Sequence, residues 1–255
     1  MRVLHVVPSL GTGGAETLIV DLAVEGRSRG HDVRVLTLSS VDGIPLANAR
    51  AAGVPVRSLN RSRFDPRSLP ELWRHASGAD VVHMHLFPTL YWGAFVPGPK
   101  VYTEHSTWNK RRSYPFAAPF ERGIYGTYDR VVSVSRGVRD ELVRFLGRSP
   151  SLEEWPVVFN WISPRFLAPA SPSSHTDRSD ELAVVAVGSL SSHKNFELAL
   201  EVAAAAPWMR LDIVGEGPKR SELGERIVSL GLRDRVRLLG ARRDLPELLP
   251  NYDVF

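Results

Sequence analysis

The chain has 255 residues, 43% hydrophobic and 24% charged, with no cysteine. That length buries well over half of its unfolded surface without a disulfide or metal staple, and the composition excludes disordered, collagenous and coiled-coil classes. The missing cysteines exclude disulfide scaffolds, thiol nucleophiles and thiolate-bound metals, and make a reducing cytoplasm the expected compartment. The formal charge of +4 is uneven, with 21 basic against 15 acidic residues up to Ala168 and 11 against 13 beyond, and only four of the 32 basic residues are lysines. Such an arginine excess fits an anionic ligand or peripheral contact with the inner face of an anionic membrane; a solvated basic face is the alternative, and no nucleic-acid-binding signature accompanies it.

Apolar β-branched runs alternate with helical patterns along the chain, which predicts parallel strands covered by helices on both faces. In chain order the expectations are a strand over Val3 to Val7, a helix from Ala15 to Arg29 ended by Gly30, and a strand over Asp32 to Thr37. A helix from Pro70 to Ala76 follows, then strands at Val81 to His85, Lys100 to Thr103 and Arg130 to Val134, and a helix from Arg136 to Leu146. Met1 to Leu10 is interrupted by His5 and Pro8 and is no export signal, while Val81 to Pro99 holds two histidines and three prolines that would break a spanning helix. A first domain is therefore expected over 1–168 and a Pro/Ser-rich linker over 169–181. A second βαβ domain follows over 182–255, with strands at Leu182 to Val187, Arg210 to Val214 and Val236 to Leu239, and helices from Asn195 to Ala206 and Ser221 to Leu230. This domain is read as incomplete, because the run Tyr252-Asp253-Val254-Phe255 has the character of a strand just beginning.

The glycine-rich turn Pro8 to Glu16 joins the first strand to the first helix, where backbone N–H groups and a helix N-terminus can face a phosphate. Gly11 and Gly13 supply only half of a dinucleotide fingerprint, since Glu16 stands at the third glycine position, and no Walker motif is present. His83 and His85 alternate along a strand and project to one side. No third ligand follows at a recognisable spacing and no D-x-D motif is present, so a packing or cleft-lining role is expected and no metal. Lys110, Arg111 and Arg112 form the densest basic cluster, interleaved with aromatics. It suits an anionic acceptor, with an exposed mobile loop as the alternative. Hydrolase elbows and zinc-protease motifs are missing, and Glu153 and Glu154 adjoin in sequence and so make a poor glycosidase pair.

Gly13-Gly14-Ala15-Glu16, Gly30-His31-Asp32-Val33, Asp80-Val81-Val82-His83, Thr103-Glu104-His105, Val132 to Ser135 and Val158-Phe159-Asn160 occur in an order that resembles the retaining glycosyltransferases of family 4. Val187-Gly188-Ser189-Leu190 with Lys194-Asn195, and Val214-Gly215-Glu216-Gly217-Pro218, extend the resemblance over the second half. It implies a GT-B fold of two doubly wound, Rossmann-like domains, the first on the acceptor side and the second holding a nucleotide-sugar donor, with the reaction in the cleft between them. It further implies that His105 contacts the transferred sugar and that Gly13, Gly14, Gly188, Ser189 and Lys194 face the donor phosphates. Gly215, Glu216 and Gly217 would lie on the nucleotide side, and Glu16, His83, Lys110, Arg111 and Arg112 on the side of a glycan or lipid-linked acceptor. The family commonly has arginine where Ser189 stands, so one charge of the phosphate clamp is missing. No cofactor is expected beyond the nucleotide sugar. Rival readings are a nucleotide-sugar epimerase on the same fold and a non-catalytic binding subunit. The resemblance also implies that the family's donor domain continues past Val254 with a Glu-x7-Glu motif, so that transfer would need a C-terminal extension or a second polypeptide.

Overall fold

The computed structural model describes residues 1–11, 13–107, 109–148, 150–167 and 181–255. The chain divides into two compact units, Met1–Trp161 and Ile162–Phe255. Apart from Glu181, the expected linker lies outside the described residues.

In the first unit, strands β1 (Arg2–Val7), β2 (Asp32–Thr37), β3 (Val56–Ser58), β4 (Val81–His85), β5 (Lys100–Glu104) and β6 (Arg130–Ser133) form one sheet of order β3-β2-β1-β4-β5-β6. Every pairing is parallel. The order reverses between β1 and β4, and the carboxyl ends of those two strands flank the crevice where open α/β sheets bind ligands. Two cores follow from the alternation of side chains along each strand. Leu4, Val6, Val82, Met84 and Tyr102 pack against α3 (Ser68–Ala76), α4 (Thr89–Gly93), α5 (Ala118–Tyr125) and α6 (Arg136–Leu146) through Leu72, Leu90, Tyr125 and Leu142. On the other face Val7, Val33 and Val35 pack with Ile19, Val20 and Ala23 of α1 (Gly14–Ser28) and Leu46 of α2 (Ile44–Ala51).

Local sequence sets the helix ends. The Ser135 side chain accepts from the Val138 amide at 3.2 Å to open α6, a cap of about 1 kcal/mol, and Val138, Leu142 and Leu146 form its buried stripe. Gly147 closes it in the left-handed conformation. Gly30 ends α1 as expected, its N–H reaching the Arg27 carbonyl at 2.9 Å. The α2, β3, α4 and α5 segments were not expected. Pro45 and Pro119 sit in the first turns of α2 and α5, where a missing N–H costs nothing, and β3 is only 3 residues long.

The second unit holds β7 (Leu182–Val187), β8 (Met209–Val214) and β9 (Val236–Gly240) as a parallel sheet of order β7-β8-β9, with α7 (Phe196–Ala205) and α8 (Arg220–Ser229) between them in sequence. Leu200, Ala203, Leu211, Ile213, Leu223 and Ile227 make its core. The terminal apolar run behaves as the sequence predicts. Val254 bridges Val184 in parallel, and the Val185 amide donates to the Val254 carbonyl at 2.9 Å. Buried Asp212 in the central strand anchors that run, accepting from the Tyr252 hydroxyl at 2.6 Å and from Arg237 Nε at 2.7 Å. Burial pushes its carboxyl up, but those hydrogen bonds outweigh burial and hold it below the usual carboxylate range.

Candidate functional site

At the carboxyl end of β1 the glycine-rich turn leads into α1. Gly13 is extended, with φ −174°, so its conformation does not demand glycine. A Cβ there would stand 2.2 Å from Glu16 Oε2, so a larger residue displaces the end of that movable side chain. Glu16 thus packs over the turn within the first turn of α1, where a negative charge suits the helix N-terminus, while burial raises its carboxyl pKa above the ordinary value. Gly14, the first residue of α1, is exposed.

Beside this turn the sheet assembles a group of imidazoles. His5 pairs with His83 across β1 and β4, and His85 ends β4 opposite Thr103 of β5. His105 follows the end of β5. His5 is 6% and His85 0% exposed, and their rings meet with Nδ1 of His5 2.9 Å from Nε2 of His85. Nδ1 of His85 lies 3.3 Å from Nε2 of His105, and Nε2 of His83 lies 2.7 Å from the Thr103 hydroxyl. Burial lowers the pKa of His5 and of His105 to about 4 and those of His83 and His85 well below 6.5, so all four rings are neutral at pH 7. Sequence spacing places His83 and His85 together but finds no third ring. The β1–β4 register brings in His5, and the three histidines offer ring nitrogens within 4.8 Å of one another.

The basic cluster is corrected by the structure in two of its three members. Arg111 pairs with Glu121 at 2.5 Å, with the Phe87 ring centroid 4.4 Å from its guanidinium carbon. Arg112 pairs with Glu104 at 2.8 Å, their side chains being 9% and 5% exposed, and Glu104 also accepts from the Tyr125 hydroxyl at 2.8 Å. These guanidiniums are consumed inside the fold, because their carboxylates come from β5 and α5 and leave no free charge for an anionic acceptor. Lys110 remains exposed. The sequence gives no sign of these partners, since neither carboxylate stands at a helical or strand spacing from its arginine.

In the second unit the loops after β7 and β8 touch backbone to backbone. A Cβ on Gly215, at φ +152°, would lie 1.8 Å from the Gly188 carbonyl oxygen, and one on Gly217 would lie 2.4 Å from that of Leu190. Only glycine permits this approach, which the Leu190 amide seals by donating to the Glu216 carbonyl at 3.0 Å. Lys194 lies in a short 3₁₀ turn, and α7 opens only at Phe196 because Asn195 takes a left-handed φ of +48°. Its stem lies over Gly188, with Cε 3.3 Å from where a Cβ would stand, and its exposed ammonium joins no ion pair among the described residues. The protein's other second-unit lysine, Lys219, is held by Glu197 and Glu222. Exposed Ser189 shares a hydroxyl contact of 3.2 Å with Ser191, and Glu216 is paired with Arg220 at 3.0 Å. Each predicted residue is therefore placed on its own unit: Gly13, Gly14, Glu16, His83 and His105 around the β1–β4 crevice, and Gly188, Ser189, Lys194, Gly215, Glu216 and Gly217 at the carboxyl ends of β7 and β8.

Two outcomes follow. Arg112→Met leaves the Glu104 carboxylate buried and unpaired, so chemical denaturation should show a loss of about 3–5 kcal/mol; unchanged stability with weakened acceptor binding would restore Arg112 to the surface role. Each buried neutral ring must also take up a proton on unfolding below about pH 6.5, so the unfolded chain binds more protons there. Stability is full above that pH and falls towards pH 4, by up to about 1.4 kcal/mol per pH unit per histidine. Thermal melts should shift downward between pH 6.5 and 5, where carboxylates still carry their charge; a flat melting temperature across that window would contradict the buried neutral rings.

Comparison with known proteins agrees with the residue patterns. The sequence model of Glycosyltransferase Family 4 matches residues 12–165, and that of Glycosyl transferases group 1 matches residues 169–255. The lipopolysaccharide core biosynthesis glycosyltransferase LpsD of Rhizobium meliloti (strain 1021) is 28% identical over 137 residues, which take in 54% of this chain and 39% of LpsD. The chain therefore spans well under half of that relative's length. Anabaena Alr3699/HepE, crystallised with UDP and glucose, superimposes with a TM-score of 0.83 at 22% identity over 100% of this chain and 73% of its own. A glycosyltransferase from Rickettsia africae ESF-5 gives 0.75 at 17% identity over 99% and 72%. These likenesses assign the GT-B fold. No helix among the described residues is long and apolar enough to cross a membrane. With its sequence model spanning residues 12–165, well over half of the length, the chain belongs to Glycosyltransferase Family 4.

Proposed function

We propose that this chain acts in sugar transfer, moving a hexosyl group from a nucleotide-diphosphate donor to a glycan or lipid-linked acceptor with retention at the anomeric carbon. The observation that carries the reading is Lys194, whose stem lies over Gly188 beside the close approach that Gly215 and Gly217 permit, and whose exposed ammonium joins no ion pair among the described residues. There it offsets the charge of a departing diphosphate, which is electrostatic stabilisation of a leaving group with no resident metal. Gly13 and Gly14 add amides at the start of α1. His105, neutral through burial, hydrogen-bonds a hydroxyl of the transferred sugar. Glu216 lies on the nucleotide side, and Glu16 and His83 face the acceptor in the first unit. HepE has been crystallised with UDP-glucose, and LpsD is named for lipopolysaccharide core synthesis, which supports a uridine-diphosphate sugar and a lipid-linked saccharide here. Peripheral contact with an anionic membrane belongs to the same reading, now through exposed Lys110 with Phe116 and Phe120, which are 82% and 61% exposed.

Calorimetry with UDP-glucose tests the donor site. Lys194→Ala should weaken binding by roughly ten- to a hundredfold, the worth of one charge-assisted contact of about 1.5–3 kcal/mol; equal affinity removes Lys194 from the site. His105→Ala should instead lower the turnover number by about a hundredfold with little change in donor affinity, and a normal rate in that variant removes His105. Release of free epimerised sugar without acceptor would favour an epimerase, and donor binding without turnover even when a polypeptide supplying the Glu-x7-Glu motif is added would favour a binding subunit.

A further inference from the structure

We propose that His85, backed by His5, is a positioning residue that fixes which ring nitrogen of His105 carries the proton. The proposal rests on the reading of His105 as the residue that meets the transferred sugar, and it concerns the atom that His105 presents there.

Three rings stand in one line of contacts. Nδ1 of His5 meets Nε2 of His85 at 2.9 Å, and Nδ1 of His85 meets Nε2 of His105 at 3.3 Å. Burial keeps all three neutral, so each carries one N–H, and each contact needs one proton between its two nitrogens. Two arrangements satisfy that count. With its proton on Nδ1, His85 donates to His105 and accepts from His5, and His105 then holds its own proton on Nδ1. With its proton on Nε2, His85 donates to His5 and accepts from Nε2–H of His105, whose Nδ1 is then a bare acceptor. The contacts couple the rings so that no ring changes tautomer alone, and the free Nδ1 of His105 is a donor in one arrangement and an acceptor in the other. A sugar hydroxyl hydrogen-bonds differently to each, so the buried pair behind His105 decides what the sugar meets.

The same rings could be read as metal ligands, since His5, His83 and His85 bring nitrogens within 4.8 Å. Their orientation argues otherwise. His83 and His85 stack with ring centroids 3.9 Å apart at 34°, whereas imidazole lone pairs lie in the ring plane and must converge on an ion. Nε2 of His83 is already engaged by Thr103, and the His5–His85 contact uses the lone pair that would ligate.

The test is long-range ¹H–¹⁵N correlation of the full chain with ¹⁵N-labelled histidine, which reads each ring's tautomer without any assay of transfer. His105 should show the widely split ¹⁵N shifts of one tautomer. In His85→Phe the split should shrink as His105 samples both forms, and turnover should fall about tenfold or more at unchanged donor KM. His85→Asn keeps a polar atom near the position of Nδ1 and should restore most of the split and the rate; it also serves if the Phe variant fails to fold. Wild-type ¹⁵N shifts for His105 in folded His85→Phe, or a split in folded His85→Asn as small as the free imidazole's, would overturn the proposal. So would one equivalent of Zn²⁺ that survives EDTA and moves the His5, His83 and His85 signals. If the tautomer responds but wild type and variants alike show no transfer even when a polypeptide supplying the Glu-x7-Glu motif is added, the positioning stands and the transferase reading fails.

Discussion

The parallel hydrogen-bonded register between β1 and β4 sets His5 opposite His83 and aligns two strand ends with the glycine-rich turn. Because side chains alternate along a strand, that register puts His5, His83 and His85 on one face while Leu4, Val6 and Met84 fill the core on the other. A slip of one residue would exchange the two sets, burying imidazoles among leucines and turning methionine and valine towards the crevice. The site is thus a consequence of the pairing that closes the first core.

Arg111 and Arg112 of the first unit are handled in the opposite way to Lys194 of the second. Arg111 and Arg112 follow His105 closely, yet both turn inward to Glu121 and Glu104, where Tyr91 and Tyr125 supply further hydrogen bonds to the carboxylates. A buried ion pair of this kind contributes little net stability, but removing one member strands a charge, so the pairs act to hold the loop after β5 in one place. His105 stands at the base of that loop. In the second unit Lys194, exposed by the glycine turn, joins no ion pair among the described residues, whereas Lys219 is tied to Glu197 of α7 and Glu222 of α8.

The glycines of the second unit work by contact more than by flexibility. At Gly215 and Gly217 the missing Cβ lets two loops lie carbonyl against backbone, and the resulting cradle is held by main-chain hydrogen bonds at the ends of β7 and β8. Gly13 differs, because what crowds it is the end of a movable glutamate side chain.

The sequence by itself determined the α/β class, the positions of eight of the nine strands among the described residues, the restart of the βαβ pattern near Leu182, and the glycine turns, because periodicity and turn chemistry are local properties. It missed β3 and α2, where three residues or a proline-led turn carry too little pattern. The family's motif order named His105, Lys194 and the glycines. Only the tertiary structure decided that Arg111 and Arg112 are partners of the buried Glu121 and Glu104, and only it joined His5 to His85 and His105. Those contacts join residues 8 to 80 positions apart, so no local pattern reports them. Strand register and loop closure choose them, and both are settled by packing of the whole sheet.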